Sequence, residues 1–316
     1  MLRSKKFFAC LVLCMLFLFG FSLGSVSFAQ EEKPAVAEQE EEARPTLSAS
    51  YTLFSKYVWR GYELSKNSLV MFPSITISYK GFALNMWGDY DTRYYGSRGE
   101  DQKEWFETDF VLTYSNNLGT LPNLTKIFDP LKNVSYTIGY IYYDTDFDIN
   151  GASYIRRARR SLERDFNLVS GAGSTEEVYL ILGYAMFANP TVSVWRQIET
   201  GEAWYVNFAL SQNFPLPKEI INKYPCTKDW SVDVGSWISW MHRTRAAGVS
   251  AHYSAMHDAN IWAALNVPLN KYFTLSPTVN YSFPMSHSAH HEIEAASFNG
   301  HDDNWVYGGV VVKLAF

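Results

Sequence analysis

The sequence predicts an all-β protein, a transmembrane antiparallel up-and-down β-barrel of about twelve strands. Short segments in which apolar and polar residues alternate recur through most of the chain, and a period of two is the pattern of a β-strand. After the N-terminal apolar run, no other run reaches the roughly 18 apolar residues that a membrane-spanning helix needs. Aromatic residues make up 16% of the chain, which is typical of barrels whose rings lie at both membrane interfaces.

The N-terminus, residues 1–29, has the pattern of a secretory signal peptide. Basic residues precede the apolar run 7–21, and small residues lie at a predicted cleavage point after Ala29. The mature chain keeps one cysteine, Cys226, so it can form no internal disulfide. We therefore expect an exported protein that is held together without a disulfide.

Residues 30–45 are acidic, contain no aromatic residue and have almost nothing to bury. Such a composition predicts a disordered acidic periplasmic leader. The remaining residues, 46–316, are predicted to form the outer-membrane barrel.

The alternation locates the strands. In the second strand, for example, Ile75 and Ile77 lie on one face, while Thr76 and Ser78 lie on the other. The polar face is too polar for a protein core, which indicates a wall between lipid and water. The predicted strands cover residues 46–61, 68–80, 82–92, 105–115, 133–144, 177–187, 190–198, 203–214, 229–241, 260–268, 273–284 and 305–316.

The last strand carries two further signals. Val310 and Val312 share an uncharged face, whereas Lys313 lies in the middle of the opposite face. The chain ends on Phe316, which is similar to the closing-strand signal of bacterial outer-membrane proteins. We predict that Phe316 is an assembly signal read by the barrel assembly machinery. Taken alone, this stretch also fits the last strand of a soluble sandwich.

The connections between the predicted strands alternate in length, as they do in such barrels, where short turns are periplasmic and long loops are external. By strand counting, the short turns near 80–81, 188–190 and 268–271 fall on the periplasmic side. The intervals 116–132 and 215–228 also fall there, although they are longer than such turns usually are. The predicted external loops are 92–104, 145–176, 242–259 and 285–304.

Three stretches resemble the TorF-type family of outer-membrane porins. They are Ser55–Gly61, with its Tyr-Val-Trp-Arg-Gly run, Ala188–Trp195, and the closing Tyr307–Phe316. The resemblance spans most of residues 46–316. It implies a barrel and passive transport, and it brings no catalytic residues.

Carboxylates cluster on the predicted lumen faces of the third and fourth strands. Cross-strand neighbours lie about 5 Å apart, so these groups form a negative patch unless basic side chains neutralise it. One interpretation is a wall that attracts cations, and the other is an ion-pair network with Lys56, Arg60 and Lys80 that only stabilises the barrel. The predicted pore-lining residues are Lys56, Arg60, Asn85, Trp87, Asp89, Asp91, Glu107, Asp109 and Lys313.

An arginine-rich stretch lies in the predicted external loop 145–176. It could fold into the mouth as a constriction opposite the carboxylates, or its arginines could meet lipopolysaccharide phosphates and water. The predicted constriction residues are Arg156, Arg157, Arg159, Arg160 and Arg164.

Histidines and tryptophans supply two weaker patterns. All the histidines fall in or beside the last two predicted external loops, where with acidic neighbours they could bind a divalent metal. Their spacing is irregular and no half-site recurs, so we predict no metal and no cofactor. The histidines and their acidic neighbours are His242, His252, His257, His287, His290, His291, His301, Glu292, Asp302 and Asp303. The tryptophans predicted to point inward, where they could contact flat solutes, are Trp87, Trp195, Trp237 and Trp262.

The functional prediction is a channel in the outer membrane of a Gram-negative bacterium for passive passage of small solutes, with weak cation selectivity. The formal charge of −5 argues against a nucleic-acid partner. A non-conducting structural or adhesion barrel, which acts through its external loops, remains open. An outer-membrane hydrolase is disfavoured because no histidine except His242 touches a predicted strand and no Gly-x-Ser-x-Gly occurs, so we predict no enzyme. Expected partners are outer-membrane lipid, lipopolysaccharide, the barrel assembly machinery and small solutes.

Overall fold

The computed structural model of the protein describes residues 44–65, 68–95, 101–121, 123, 126, 128–145, 173–198, 203–217, 229–243, 252–297 and 301–315. The predicted signal peptide and nearly all of the predicted leader lie outside this part of the chain. No helix among the described residues is long and apolar enough to cross a membrane.

Twelve antiparallel strands close into one barrel, which confirms the predicted fold. Each strand pairs with its neighbour in sequence, and the last strand pairs with the first, so that the barrel has no open edge. The barrel strands are β1 (Thr46–Phe54), β4 (Val70–Tyr79), β5 (Phe82–Tyr95), β6 (Asp101–Asn117), β7 (Val134–Thr145), β8 (Gly173–Tyr184), β9 (Thr191–Gln197), β10 (Ala203–Pro215), β11 (Ser231–Arg243), β12 (Tyr253–Pro268), β13 (Phe273–Pro284) and β14 (Trp305–Ala315).

The register separates an apolar outer face from a polar inner face. Thr76 of β4 pairs with Asn85 of β5, and Ile77 pairs with Leu84. Ile77 and Leu84 are more than half exposed on the outside of the barrel, whereas Asn85 donates hydrogen bonds from its amide to Ser74 and Thr76 inside it. Lys313 of β14 pairs with inward-facing Ser50 and Thr274 and therefore lies on the inner face.

This register predicts the outcome of cysteine labelling. In a Cys226→Ser background, Lys313→Cys should react with a water-soluble maleimide, because the side chain at 313 is exposed inside the barrel. Val310→Cys should be shielded by detergent or lipid, because it lies on the outer face. Labelling rates measured in membranes check this, and preferential labelling at 310 would invert the assignment of the two faces.

The first barrel strand ends earlier than the sequence predicts. The prediction ran to residue 61, but β1 ends at Phe54. The chain then forms two short strands, β2 (Val58–Trp59) and β3 (Tyr62–Glu63), which pair only with each other. Arg60 and Gly61 connect them with φ of 48° and 81°. Two successive positive φ angles make the tight turn of a two-residue hairpin, which ends any continuation of β1.

Three predicted loops are also different in the structure. β5 and β6 extend into the predicted loop 92–104, and β12 begins at Tyr253, seven residues before its predicted start. The predicted loop 285–304 contains helix α1 (His287–Ala296), whose first turn is capped when the Ser286 hydroxyl accepts a hydrogen bond from the Ala289 amide. The long interval after β6 contains two short 3₁₀ helices, Leu118–Thr120 and Asp129–Asn133.

The two ends of the barrel interior are packed differently. At the terminal end, where the chain enters at Thr46 and leaves at Ala315, the inward side chains Ser48, Asn213 and Lys313 are exposed. At the opposite end, which we call the segment end, inward side chains such as Asp89, Tyr143 and Tyr307 are buried. The interior is thus open to solvent at one end and filled at the other.

Candidate functional site

The interior is filled by residues 55–65, which we call the inward segment. It contains the β2–β3 hairpin, and it forms hydrogen bonds with inward-facing residues on opposite sides of the barrel. Within the segment, the Leu64 amide donates to the Tyr57 carbonyl at 2.8 Å, and the Tyr57 amide donates to the Ser65 hydroxyl at 2.7 Å. The segment therefore has its own backbone structure and is not a strand of the wall.

The main ionic contact of the inward segment joins Arg60 to Glu177 of β8. Two guanidinium nitrogens donate to the two carboxylate oxygens at 2.8 and 2.7 Å. Both side chains are at most one-tenth exposed, and Tyr143 donates a further hydrogen bond to the same carboxylate. The guanidinium also lies 4.3 Å from the ring centroid of Trp59 and 4.5 Å from that of Tyr205. Such a bidentate, desolvated pair fixes the position of the hairpin turn with high geometric specificity.

A second contact joins the inward segment to the carboxylates Asp89, Asp91, Glu107 and Asp109, which we call the acidic patch. Tyr57 donates a hydrogen bond to Glu107 at 2.8 Å. Burial, followed by the charges of the patch, raises the pKa of Tyr57 well above its usual value, so the phenol keeps its proton and remains a donor.

The acidic patch is buried but incompletely hydrogen-bonded. All four of its side chains are less than 9% exposed. Within the described part of the chain, one carboxylate oxygen of Asp89 and one of Asp109 have no hydrogen-bond partner. Buried carboxylate oxygens normally have hydrogen-bond partners. The two unpartnered oxygens can therefore accept a hydrogen bond from water or bind a cation in the interior.

The turn of the hairpin is held on its backbone side as well. The Trp305 indole donates to the Gly61 carbonyl at 2.8 Å, and His257 Nε2 lies 3.0 Å from the Arg60 carbonyl oxygen. A carbonyl accepts only, so Nε2 carries a proton. His257 Nδ1 lies 2.7 Å from the Tyr253 hydroxyl, which donates to it when the imidazole is neutral.

A bulge explains why β12 supplies two consecutive residues to this region. The β11–β12 register shifts between Ile238 and Trp240, and both His257 and Asp258 are fully buried. The Asp258 carboxylate accepts hydrogen bonds from Tyr205 and Ser239. The prediction that no histidine except His242 touches a strand was wrong, because His257 lies within β12.

Helix α1 packs over the hairpin. Its buried residues Ala289, Ile293 and Ala296 are spaced along one face. Ile293 belongs to the same apolar cluster as Tyr62 and Trp305. An atom placed as Cβ on Gly61 would lie 2.9 Å from Ile293 Cδ1, so the helix and the turn touch closely.

The structure places most of the predicted interior residues on the inner face. Strand pairing puts Asn85 opposite Thr76, Trp87 opposite Asp109, and Asp89 opposite Glu107. The residues whose register directs them inward are Asn85, Trp87, Asp89, Asp91, Glu107, Asp109, Trp195, Trp237, Trp262 and Lys313.

The sequence predicted that Lys56 and Arg60 lie on the barrel wall. This prediction was wrong, because β1 ends before them. Both belong to the inward segment. Lys56 forms a salt bridge with Glu63, and Arg60 forms one with Glu177, so neither of these salt bridges neutralises the acidic patch. The arginine stretch with Arg156 to Arg164, and the terminal Phe316, lie outside the described residues.

Sequence reasoning missed Glu177, Tyr143 and Asp258 as contributors to the site. The sequence did contain a sign that Glu177 faces the interior, since it is a carboxylate near the end of a strand with an apolar outer face. Its partner, however, lies 117 residues away in the sequence. Only the inward fold of the segment shows that the two side chains meet.

The site and the fold together define a class: a twelve-stranded antiparallel barrel that carries an inward hairpin at one end. No protein-family model and no curated protein matches the chain, so the resemblance to the TorF-type family is not confirmed.

Several solved barrels are similar to it. An outer membrane channel from Pseudomonas putida F1 has 7% identity and a TM-score of 0.44, over 89% of this chain and 100% of that one. The β domain of the Bordetella autotransporter BrkA has 12% identity and a TM-score of 0.41, over 87% and 99%. Salmonella typhi OmpF in complex with daunomycin has 9% identity and a TM-score of 0.34, over 87% and 97%. These TM-scores are below 0.5, so the architecture rests on the strand pairing of this chain.

Proposed function

We propose that the protein is an outer-membrane channel for small solutes whose narrowest section is formed by the inward segment. The observation that carries the proposal is the Arg60–Glu177 contact, which holds a hairpin across the interior without making it part of the wall. The terminal end presents exposed polar side chains, which suits a water-filled vestibule. Solutes would pass from this vestibule along the side chains that surround the hairpin.

The acidic patch supports weak cation selectivity. It lies beside Tyr57 of the inward segment, where a permeating ion would approach the wall most closely. Ionised carboxylates with free acceptor capacity attract cations and repel anions.

Selectivity under a KCl gradient tests this role. The variant with Asp89→Asn, Asp91→Asn, Glu107→Gln and Asp109→Asn should shift the reversal potential in planar bilayers toward that of a non-selective pore. The shift should shrink in molar salt, where the screening length is about 3 Å. The matched control is Asp144→Asn with Glu176→Gln, which removes carboxylates from the outward side of β7 and β8. An unchanged reversal potential in the patch variant would mean that the carboxylates are structural.

The proposed location follows from the barrel itself. A closed barrel satisfies its backbone hydrogen bonds in lipid, and its outer face is apolar. The barrel should therefore face outer-membrane lipid and lipopolysaccharide, after insertion by the barrel assembly machinery. The protein should be extracted only by detergent and should migrate differently on gels before and after heating. Recovery in a soluble periplasmic fraction would contradict the proposal.

The packing of the inward segment favours a second candidate, a non-conducting structural or adhesion barrel. Tyr62 is only 1% exposed, and the cluster around it includes residues of α1 and β14. Neither candidate requires a catalytic group. Ion current through the purified protein separates the two candidates. Steps of conductance in the wild type support the channel. If neither the wild type nor a variant designed to release the inward segment, such as Glu177→Ala, shows such steps, the non-conducting barrel is supported.

A further inference from the structure

Helix α1 carries a cluster of potential metal ligands on the face directed away from the barrel. His287, His290, His291 and Glu294 are spaced at i, i+3, i+4 and i+7, so they lie on one side of the helix. The opposite side, with Ile293, is buried against the hairpin. The cluster is thus separate from the interior site, and its backbone is held by the packing of the helix.

The ligand atoms are close to the spacing that a metal requires. His290 Nε2 and His291 Nδ1 each lie 3.7 Å from Glu294 Oε2. One ligand atom from each of the three residues lies within 4.8 Å of the other two. In a tetrahedral site with bonds of about 2.0–2.1 Å, neighbouring ligand atoms are about 3.4 Å apart, so small side-chain rotations bring all three into range.

The second nitrogen of each histidine ligand is already engaged. His290 Nδ1 is hydrogen-bonded to the carboxylate of Asp303, which leaves Nε2 for a metal. His291 Nε2 lies 3.0 Å from His287 Nε2, which can accept its proton and leave Nδ1 for a metal. Metal-binding histidines almost always donate their other N–H to such a partner, which fixes the tautomer and the orientation of the ring.

We propose that His290, His291 and Glu294 form a binding site for a divalent late first-row metal such as Zn²⁺. Two imidazole nitrogens and one carboxylate oxygen are ligands that suit Zn²⁺, Cu²⁺ and Ni²⁺. Three protein ligands leave a further position for water. Asp303 and His287 act as positioning residues that orient the two imidazoles. The proposal is independent of whether the barrel conducts.

Zn²⁺ titration of the full-length protein, purified in detergent without a histidine tag, tests the site. We expect one strongly bound Zn²⁺ per chain, and Co²⁺ in its place should give visible d–d absorption bands of a low-coordinate site. His290→Ala with His291→Ala should abolish this binding, and Glu294→Gln should weaken it. Asp303→Ala and His287→Ala should each weaken it by about 10- to 100-fold.

The matched control is His252→Ala, because His252 is an exposed histidine near the same end of the barrel that lies outside the cluster. This variant should bind Zn²⁺ as the wild type does. Heat-dependent gel migration verifies that every variant is a folded barrel. The proposal is overturned if the folded wild type binds no Zn²⁺, if the His290/His291 double variant still binds it, or if His252→Ala loses binding equally.

Discussion

Replacing Glu177 by alanine is expected to release the inward segment and raise the conductance of the barrel. The change leaves the Arg60 guanidinium buried, without the carboxylate that now accepts two hydrogen bonds from it. Removing one partner of a buried ion pair typically costs about 3–5 kcal/mol. The segment can avoid this cost by moving Arg60 into water, since the hairpin is not part of the barrel wall.

Single-channel recordings in planar bilayers measure the expected rise in conductance. The temperature at which gel migration changes on heating measures the expected loss of stability. The double variant Arg60→Ala with Glu177→Ala should unfold at a higher temperature than Glu177→Ala alone, because it leaves no buried unpaired charge. Arg196→Ala controls for loss of an arginine, since Arg196 is exposed and packs on Trp204 on the outer side. Wild-type conductance and stability in Glu177→Ala would show that the ion pair does not hold the segment.

Replacing Gly61 by alanine is expected to displace the hairpin turn. At a φ of 81°, a residue with a Cβ costs about 1–2 kcal/mol more than glycine. The added carbon would also lie 2.9 Å from Ile293 Cδ1 and 3.0 Å from Asp258 Cβ, which are closer than ordinary contacts. The hydrogen bond from Trp305 to the Gly61 carbonyl would be lost with the displacement. We therefore expect lower thermal stability and more frequent opening in bilayer recordings.

Two comparisons isolate the cause of this effect. Gly81→Ala introduces alanine at a similar φ, 85°, but in the turn between β4 and β5 at the terminal end. It should lower stability without changing the opening frequency. Adding Ile293→Ala to Gly61→Ala removes the close contact with Cδ1 and should recover part of the loss. Identical opening frequencies in wild type and Gly61→Ala would contradict the role assigned to the turn.

The wall of the barrel could be predicted from the sequence because its pattern is local. In β4, Ile75 and Ile77 alternate with Thr76 and Ser78, and strand pairing places the two sets on opposite faces as expected. The inward direction of the acidic patch follows from the same period of two. Only the sequence pattern and the geometry of strands were needed for these predictions.

The inward segment could not be predicted in this way. Tyr57, Val58 and Trp59, all residue types that favour strands, follow Phe54 closely, so the local composition favours a longer strand. The Arg60–Gly61 pair is the local sign of a turn, and arginine is not a residue that usually adopts a positive φ. The energy that reverses the chain comes from Glu177, His257 and Trp305, which lie far away in the sequence. Helix α1 likewise owes its position to the hairpin beneath it.

The closure of the barrel is tied to the same hairpin. The first and last strands pair from Ser48–Ala315 to Phe54–Gly309, and the Ser55 amide continues this ladder to the Gly308 carbonyl at 2.9 Å. Just beyond the ladder, Trp305 of the last strand bonds to Gly61, which follows the first strand. Separating β1 from β14 would therefore break the backbone hydrogen bonds between the two strands and would also displace the hairpin. The junction of β1 and β14 is thus reinforced from inside the barrel, and a lipid or peptide that entered it would have to displace the hairpin as well.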